Sequence, residues 1–313
     1  MVHVPSEFRG RRIVVVGDAM IDKSIRSGRS YHHQDEDLLV VSAYLENGFP
    51  GGASNIAANV SALGGEAVHL GVVGDDGDAA ELRAALRRSG VGHILVADPS
   101  RPTTKKLRIY HGERPVVRVD TESTEPIGDL AARKLLAQCL GALDGASALV
   151  LSDYRKGVVT APFTRSLLAR ARSLALPVIV DSKATNIGHF EGCTLFKANR
   201  HELEAVLRCE LSHESGCGTA VKAISKILGG SMVVMTDGER GVLYLDSDGH
   251  CHRAFPPPGR TVTSVVGAGD TVTAVLALGI AVGMDMPDVA DLALHAAAEA
   301  IASADTTAVR GHS

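Results

Sequence analysis

The stretch Arg12-Ile-Val-Val-Val-Gly-Asp18 is a run of apolar residues that ends in a glycine and an acid. An alternating pattern is typical of a strand with one buried face, whereas an unbroken apolar run indicates a strand that is buried on both faces. Strands of that kind belong to parallel sheets that helices cover on both sides. The stretch therefore predicts an α/β fold, with Asp18 at the carboxyl end of a central strand.

Outward from this strand, segments with helical periodicity alternate with short apolar strands. The predicted helices span residues 53–63, 78–89, 127–141, 161–173, 200–208, 218–228, 269–283 and 287–303. The predicted strands span residues 67–73, 92–96, 147–151, 177–181, 193–197 and 231–236, and a hairpin covers 241–254. Strands that alternate with helices of this length predict a doubly wound, mostly parallel sheet.

Two segments do not fit that sheet. Residues 19–48 and 101–120 alternate polar and apolar side chains, which is typical of strands with one buried face. We expect them to form a small β-strand lid beside the main sheet. The chain shows no internal repeat and no linker rich in proline or serine, so we predict that residues 1–313 form a single domain.

The composition restricts the kinds of partner. A formal net charge of −4, an aromatic content of 4% and the absence of tryptophan argue against a nucleic-acid surface. The sequence contains no run of roughly 20 apolar residues and no apolar core of a signal peptide, so we expect a cytoplasmic location without membrane contact. The five cysteines are odd in number and contain no C-x-x-C pair, which favours reduced thiols.

The stretch Gly267-Ala268-Gly269-Asp270 stands just before a long apolar helix. Small residues allow close approach of the backbone to a ligand, and the first N–H groups of a helix attract anions. With Asp270 as a proton acceptor beside the anion, this arrangement suits phosphoryl transfer to a hydroxyl. A glycine turn with Asp270 as a helix cap explains the same residues equally well.

Several cationic side chains follow predicted strands or lie in the predicted lid. Lys106 and Arg108 alternate onto one face of a lid strand, a spacing that suits a dianion, although a solvated charge run is the alternative. Lys156 lies in Ser152-Asp153-Tyr-Arg-Lys156 after one buried strand, and Lys183 follows the next. In a doubly wound sheet these strand ends meet at one edge, so the lysines predict a pocket for a phosphorylated substrate.

Four further patches have both a binding and a structural interpretation. Asp18 and Asp22 can accept hydrogen bonds from sugar-like hydroxyls or cap a turn. The stretch Gly51-Gly52-Ala-Ser-Asn55 can admit a ligand or form a tight turn. Asn199 and Glu202 can organise a hydrated magnesium ion or cap a helix. The stretch Thr236-Asp-Gly238-Glu-Arg-Gly241 suits nucleotide contact or a hairpin entry.

Together and in this order, these motifs resemble those of the ribokinase-type (PfkB) sugar kinases over nearly the full length. The resemblance implies a ribokinase-like fold with a β-lid that commonly forms a homodimer, and use of ATP and magnesium. It implies that Asp270 is the general base and that the backbone of Gly267, Ala268 and Gly269 forms the anion hole. It assigns magnesium to Asn199 and Glu202. It assigns ATP contacts to Thr236, Gly238 and Gly241.

Within the family, four segments are similar to bacterial kinases that phosphorylate D-glycero-β-D-manno-heptose 7-phosphate at the anomeric hydroxyl. The segments are Val16-Gly-Asp-Ala-Met-Ile-Asp22, Pro102-Thr-Thr-Lys-Lys-Leu-Arg108, Leu151-Ser-Asp-Tyr-Arg-Lys-Gly157 and Val180-Asp-Ser-Lys183. The resemblance implies that Lys106, Arg108, Lys156 and Lys183 surround the 7-phosphate. Gly52, Asn55, Asp153 and the two lid-side acids, Asp18 and Asp22, would then complete the substrate site. Many of these relatives carry a nucleotidyltransferase half as well, and we expect a stand-alone kinase domain here.

Three places depart from the family pattern. Arg29-Ser-Tyr-His-His-Gln-Asp-Glu-Asp37 replaces a segment that closes over the sugar, so a seven-carbon cyclitol 7-phosphate is the alternative substrate. Ser264-Val-Val-Gly267 lacks an acid and a hydroxyl, which argues against a monovalent cation. His295 stands near the expected adenine site where relatives often have asparagine. A non-catalytic sugar-phosphate sensor and a ribose or nucleoside kinase are weaker alternatives, because the proposed base, magnesium residues and lysine cluster are all present.

Overall fold

Two sheets organise the chain in a computed structural model that describes residues 2–27, 29–33, 38–42, 45–112, 114–211, 213–258, 266–302 and 311–312. The strands are β1 (Val2–His3), β2 (Arg12–Gly17), β3 (Ala19–Ser27), β4 (Arg29–His33), β5 (Leu38–Ser42), β6 (Leu45–Gly52), β7 (Glu66–Val73), β8 (Gly92–Ala97), β9 (Thr104–His111), β10 (Arg114–Thr121), β11 (Ala148–Asp153), β12 (Val178–Ser182), β13 (Leu195–Asn199), β14 (Met232–Thr236), β15 (Val242–Leu245), β16 (Cys251–Ala254) and β17 (Gly311–His312). The α-helices are α1 (Ala53–Ala62), α2 (Gly77–Arg88), α3 (Asp129–Ala142), α4 (Ala161–Ser173), α5 (Arg200–Leu207), α6 (Glu214–Ile227), α7 (Ala268–Val282) and α8 (Met286–Ile301).

The large sheet has the strand order β16-β15-β14-β13-β12-β11-β2-β7-β8. Neighbouring strands from β14 to β8 pair in parallel, and β15 and β16 add an antiparallel hairpin at one edge. The prediction of a doubly wound, mostly parallel sheet is confirmed.

Both faces of the sheet are covered, as the apolar run in β2 predicts. Ile13 and Val15 pack into the core that contains α1, α2, α7 and α8, whereas Val14 and Val16 pack into the core on the opposite face, with α3, α4, α5 and α6. Helix α7 is buried along most of its length, which explains why its sequence is apolar on all sides.

The small sheet has the order β10-β9-β3-β6, and a β4–β5 hairpin lies between β3 and β6 along the chain. These strands come from the two segments that the alternating pattern separates from the main sheet. The turn between β9 and β10 is short, because Arg114 already pairs with His111, and the register shifts at a bulge between Pro115 and Val117. Proline is tolerated there because β10 is an edge strand.

The chain order reverses between β2 and β11, which are neighbours in the large sheet. From β2 the chain proceeds outward through β7 and β8, and from β11 it proceeds the other way through β12, β13 and β14. A Cβ atom on Gly17 would lie 1.9 Å from the carbonyl oxygen of Ser152, so only glycine permits this approach of the two strand ends. Ligands of open α/β sheets bind at such a reversal, so we expect a ligand site at the carboxyl ends of β2 and β11.

Other predicted bounds differ by a few residues. The strand expected at 193–197 is Leu195–Asn199, since residues 192 and 193 form a turn whose N–H groups bond to the carbonyls of Leu228 and Phe190. The helix expected at 218–228 begins at Glu214. Within the described part of the chain, no helix is both long enough and apolar enough to cross a bilayer. The assignment of residues 1–313 to one domain remains a prediction.

Candidate active site

Asp18 holds the loop that follows β11. Its buried carboxylate accepts hydrogen bonds from the backbone N–H groups of Tyr154 (2.7 Å), Lys156 (3.0 Å) and Val158 (3.3 Å). Burial raises the pKa of Asp18 to about 6, although these three donors oppose the shift. The structure thus ties Asp18 to this loop, and a contact of Asp18 with a sugar hydroxyl stays a prediction.

Asp153 has a similar structural part in the same loop. One carboxylate oxygen accepts the backbone N–H of Arg155 at 2.8 Å, and the other accepts the hydroxyl of Ser182 at 2.8 Å. Asp153 also lines the cavity described below. A substrate contact by this residue stays a prediction.

Asp270 lies in the first turn of α7, with Gly267 as the N-cap residue in a left-handed conformation at φ 85°. Its side chain is buried and accepts two hydrogen bonds, from the Tyr154 hydroxyl at 2.5 Å and from Asn55 Nδ2 at 2.7 Å. Burial and the nearby Asp181 carboxylate raise the pKa of Asp270 to about 6, whereas Tyr154, Asn55 and Lys197 lower it. The fold thus joins α1, the loop after β11 and α7 around one carboxylate.

A buried lysine that the sequence analysis missed lies against the glycine turn. Lys197 Nζ is 3.0 Å from Asp181 Oδ2, and the Thr273 hydroxyl donates to the same oxygen at 2.6 Å. Burial favours the neutral amine, but Asp181, Glu202 and Asp270 together raise the pKa of Lys197. A Cβ atom on Gly269 would be 3.0 Å from the ammonium nitrogen. The only sequence signal is a lysine within the apolar strand Leu195-Phe-Lys-Ala-Asn199.

Two of the predicted cations, Lys183 and Lys106, meet at the ring of Tyr154. Lys183 Nζ is 4.0 Å from the ring centroid and Lys106 Nζ is 5.6 Å from it. Burial, Lys183 and Lys156 lower the pKa of Lys106, although Asp22 opposes them. Mutual repulsion of this kind indicates a site where an anion would be stabilised.

A cavity of about 670 Å³ opens beside these lysines. Its wall includes Thr124, Asp153, Tyr154, Lys156, Lys183 and His189. Lys156 also pairs with Glu122 at 2.6 Å. His189 is a second residue that sequence analysis missed, and its buried Nε2 atom has no hydrogen-bond partner among the described residues.

Arg108 and the two glycines before α1 border this region. Arg108 Nη1 pairs with Asp22 Oδ1 at 3.0 Å. A Cβ atom on Gly51 would lie 2.7 Å from Asp22 Oδ2, so the glycine lets the acid pack against the backbone. Gly52 is the N-cap residue of α1 with a φ of 55°, which favours glycine. The structure thus places Asp22, Gly51 and Arg108 near one another, with Arg108 already paired to a carboxylate.

A second cavity, of about 450 Å³, lies on the other side of the α7 N-terminus. It contains all three predicted ATP contacts and part of the predicted anion hole, namely Thr236, Gly238, Gly241, Ala268 and Gly269. Apolar side chains of Val242, Pro256, Pro257 and α8 complete the wall. Arg200 donates two hydrogen bonds to the carboxylate of Asp237, from Nε at 2.6 Å and from Nη2 at 2.5 Å. This pair stabilises the turn that follows β14.

His295 is not in the wall of this second cavity, and its place near an adenine ring stays a prediction. The α8 residues that line the second cavity are Leu294, Ala297, Ala298 and Ile301. His295 is exposed, and its Nδ1 atom is 2.9 Å from the carbonyl oxygen of Asp291. Neighbouring positions on a helix point about 100° apart, so the residue next to a cavity-lining leucine turns outward.

Asn199 and Glu202 form a reciprocal cap at the start of α5. Asn199 Oδ1 accepts the N–H of Glu202 at 2.9 Å, and Glu202 Oε2 accepts the N–H of Asn199 at 2.7 Å. Burial and Asp181 raise the pKa of Glu202, whereas Lys197, the backbone N–H of Asn199 and Lys183 lower it. A hydrated magnesium ion needs few protein ligands, and its assignment to Asn199 and Glu202 stays a prediction. The described residues contain no cluster of three or more His, Cys, Asp and Glu side chains for a directly coordinated metal.

Two predicted departures lie outside the described residues. These are the acidic part of the first lid region, residues 34–37, and residues 264 and 265 before the glycine turn. The expectation that no monovalent cation binds depends on residues 264 and 265, and it stays a prediction.

Cavities on either side of a glycine-capped helix with a buried carboxylate define a phosphotransferase-type site, and comparison with known proteins identifies the class. The pfkB family carbohydrate kinase model matches residues 11–310. The chain therefore belongs to the pfkB family of carbohydrate kinases, which are ATP-dependent enzymes. It is 37% identical over 99% of its length to the bifunctional protein HldE of Caulobacter vibrioides, and 32% identical over 96% to that of Nitrobacter hamburgensis. The chain spans 64% and 62% of the lengths of these two relatives.

Solved structures agree on the fold. Phosphofructokinase-2 from Escherichia coli superposes with a TM-score of 0.79 at 22% identity, over 96% of each chain. Ribokinase from Arabidopsis thaliana superposes with a TM-score of 0.75 at 19% identity, over 96% of each chain. The fold is ribokinase-like, as the motif order predicts.

Proposed function

We propose that this kinase phosphorylates the anomeric hydroxyl of a seven-carbon sugar 7-phosphate, such as D-glycero-D-manno-heptose 7-phosphate. The observation that carries the proposal is the contact between Tyr154 and Asp270. It joins the proposed base to a cavity lined by Lys156 and Lys183, with Lys106 nearby. The motif resemblance to heptose 7-phosphate kinases and the identity to the HldE proteins support the same substrate class.

In the proposed mechanism, the lysines hold the substrate phosphate. Asn55, which contacts Asp270, and Asp22, which pairs with Arg108, would bind ring hydroxyls of the substrate. Asp270 accepts the proton of the attacking hydroxyl. The N-terminus of α7, at Gly267, Ala268 and Gly269, faces the transferred phosphoryl group and offsets its charge. The ammonium of Lys197 adds positive charge behind Gly269.

We assign the second cavity to ATP. The glycines at 238 and 241 leave room for phosphates, and the apolar side chains of α8 provide a surface for an adenine ring. Asn199 and Glu202 would hold magnesium through water, and bound magnesium would neutralise charge on the ATP phosphates. Because ATP and sugar phosphates are metabolites of the cytoplasm, we place the enzyme there.

We further propose a homodimer that forms through the small sheet. Edge strand β10 is exposed along most of its length, and Val116, Val117 and Val119 are exposed on it. Apolar side chains on an unpaired edge favour association with a second copy.

The test is an ATP-consumption screen across heptose 7-phosphate, a cyclitol 7-phosphate, hexose phosphates and the corresponding free sugars. We expect kcat/KM for heptose 7-phosphate to exceed that for free heptose by about 100-fold or more, since a charge-assisted contact to phosphate is lost. Equal activity on free sugars would contradict the proposal. A preference for the cyclitol 7-phosphate would change the proposed ring of the substrate and leave the proposed phosphate site as it is.

Lys156→Ala sharpens this test. We expect the KM for the sugar phosphate to rise about 10- to 100-fold while the KM for ATP stays within a factor of two. Lys105→Ala is the matched control, because Lys105 lies in the small sheet but pairs with Asp78 at 2.7 Å. An equal rise in both KM values for Lys156→Ala would remove Lys156 from the phosphate site.

A further inference from the structure

Tyr154 is the one residue that contacts both the proposed base and the lysine cluster among the described residues. Its hydroxyl donates to Asp270 Oδ1 at 2.5 Å, and its ring lies 4.0 Å from Lys183 Nζ and 5.6 Å from Lys106 Nζ. Its backbone N–H is fixed by Asp18 at 2.7 Å. The tyrosine therefore spans the distance between the reacting end and the phosphate end of the proposed site.

On the basis of the proposed function, we infer that Tyr154 is the positioning residue that orients the Asp270 carboxylate toward the acceptor hydroxyl. Two donors on separate elements, Tyr154 after β11 and Asn55 on α1, each take one oxygen of Asp270. Each carboxylate oxygen has a second lone pair. With both oxygens held, the carboxylate cannot rotate, and one lone pair stays directed at the hydroxyl that it deprotonates.

The hydroxyl of Tyr154 also acts on the electrostatics of Asp270. The charged groups that face this carboxylate are Asp181 from β12 and Lys197 from β13, besides the donors Tyr154 and Asn55. Burial and Asp181 favour the protonated acid, whereas Tyr154, Asn55 and Lys197 favour the carboxylate. Removal of the hydroxyl therefore makes Asp270 harder to ionise, and the enzyme would need a higher pH to keep its base.

The ring of Tyr154 has a separate part. Its π system attracts the ammonium groups of Lys183, which lines the cavity, and of Lys106, which lies nearby. The hydroxyl can therefore be removed alone or together with the ring. Phenylalanine keeps the ring and lacks the hydroxyl, and leucine lacks both.

The first experiment compares Tyr154→Phe with the wild type on whichever sugar phosphate the substrate screen identifies. We expect kcat to fall about tenfold, the KM for the sugar phosphate to stay within a factor of two, and the acid limb of kcat/KM against pH to move up by about one unit. Tyr244→Phe is the matched control, because Tyr244 lies in β15 and stacks on His252. It should leave kcat and the acid limb unchanged.

The second experiment uses Tyr154→Leu, with the melting temperature measured for each variant. The leucine variant should show the effects of the phenylalanine variant. Because it also lacks the ring, its KM for the sugar phosphate should rise about tenfold as well. An unchanged acid limb in Tyr154→Phe would overturn the inference, even if kcat fell, because a purely structural role does not shift the ionisation of Asp270. A wild type that prefers unphosphorylated sugars, together with a shifted limb in Tyr154→Phe, would reject the proposed substrate and keep the positioning role.

Discussion

Helices α5 and α7 both begin at the same edge of the large sheet, and both carry an acid at the third helical position. In α5 that acid, Glu202, reaches back to the backbone of Asn199 and closes a capping box. In α7 the acid is Asp270, which is one methylene shorter, and the cap residue is Gly267, which has no side chain. Partners from two other elements, Asn55 and Tyr154, engage Asp270 instead.

The difference shows how one local device serves two purposes. A capping box satisfies the N-terminal donors of a helix from within the helix, which stabilises it. A glycine cap leaves the first turn open to a ligand, and here Ala268 and Gly269 line a cavity. We therefore expect substitutions at the start of α7 to affect turnover, and substitutions at the start of α5 to affect stability and the dependence of activity on magnesium.

The largest expected effect is that of Asp270→Asn. The amide keeps the size of the side chain but cannot accept the proton, so kcat should fall about 1000-fold or more. Calorimetry should show an ATP dissociation constant within about threefold of the wild type, since ATP binds in the second cavity. Near-normal turnover by this variant would show that Asp270 is not the general base. The functional difference between α5 and α7 would then lose its basis.

A smaller effect should appear in the pH dependence. The pKa of Asp270 is raised to about 6, so the protonated acid, which cannot act as a base, accumulates below that pH. We expect kcat/KM to fall about tenfold for each pH unit below 6 and to be level just above it. Circular dichroism at each pH checks that the fold persists.

Asp18 complicates the assignment of this limb, because its pKa is also raised to about 6. Tyr154→Phe separates the two acids, since the Tyr154 hydroxyl contacts Asp270 and only its backbone contacts Asp18. A limb that moves in that variant belongs to Asp270, whereas a limb that stays in place would argue against Asp270 as the titrating base and against the role proposed for Tyr154.

The smallest expected effect is that of Asn199→Ala at the start of α5. Loss of the capping side chain should lower the free energy of unfolding by about 1 kcal/mol, measured by denaturant titration. Because Asn199 is proposed to hold magnesium through water, the magnesium concentration for half-maximal activity should also rise severalfold. An unchanged concentration would remove Asn199 from the proposed magnesium site and leave it as a helix cap only.

Much of the fold follows from local patterns. The apolar run of β2 predicts burial on both faces, and its alternate residues do pack into two different cores. The alternating segments at 19–48 and 101–120 do form a separate small sheet. Local patterns are less informative at element ends, where bonds to distant groups decide the last residues. The start of β13 is an example, since the turn before it bonds to the carbonyl of Leu228.

The candidate site was predicted unevenly. Thr236, Gly238 and Gly241 fall in one cavity with Ala268 and Gly269, as the motif order implies. His295 is exposed one helix position away from Leu294 in the wall of that cavity, and a motif match does not give the rotation of a helix about its axis. Tyr154 lies inside a quoted motif, but nothing in the sequence shows that its hydroxyl meets a residue 116 positions away.

The sequence by itself determined the class of fold and the family, because hydrophobic periodicity and glycine motifs depend on neighbouring residues. The tertiary structure alone decided the duties of the acids. Asp18 is tied to the loop after β11, Glu202 is tied to its own helix, and Asp270 receives its partners from α1 and from that loop. Any of these carboxylates can cap a turn, bind a cation or accept a proton. Which of these each one does depends on burial and on the donors that packing brings within hydrogen-bond distance.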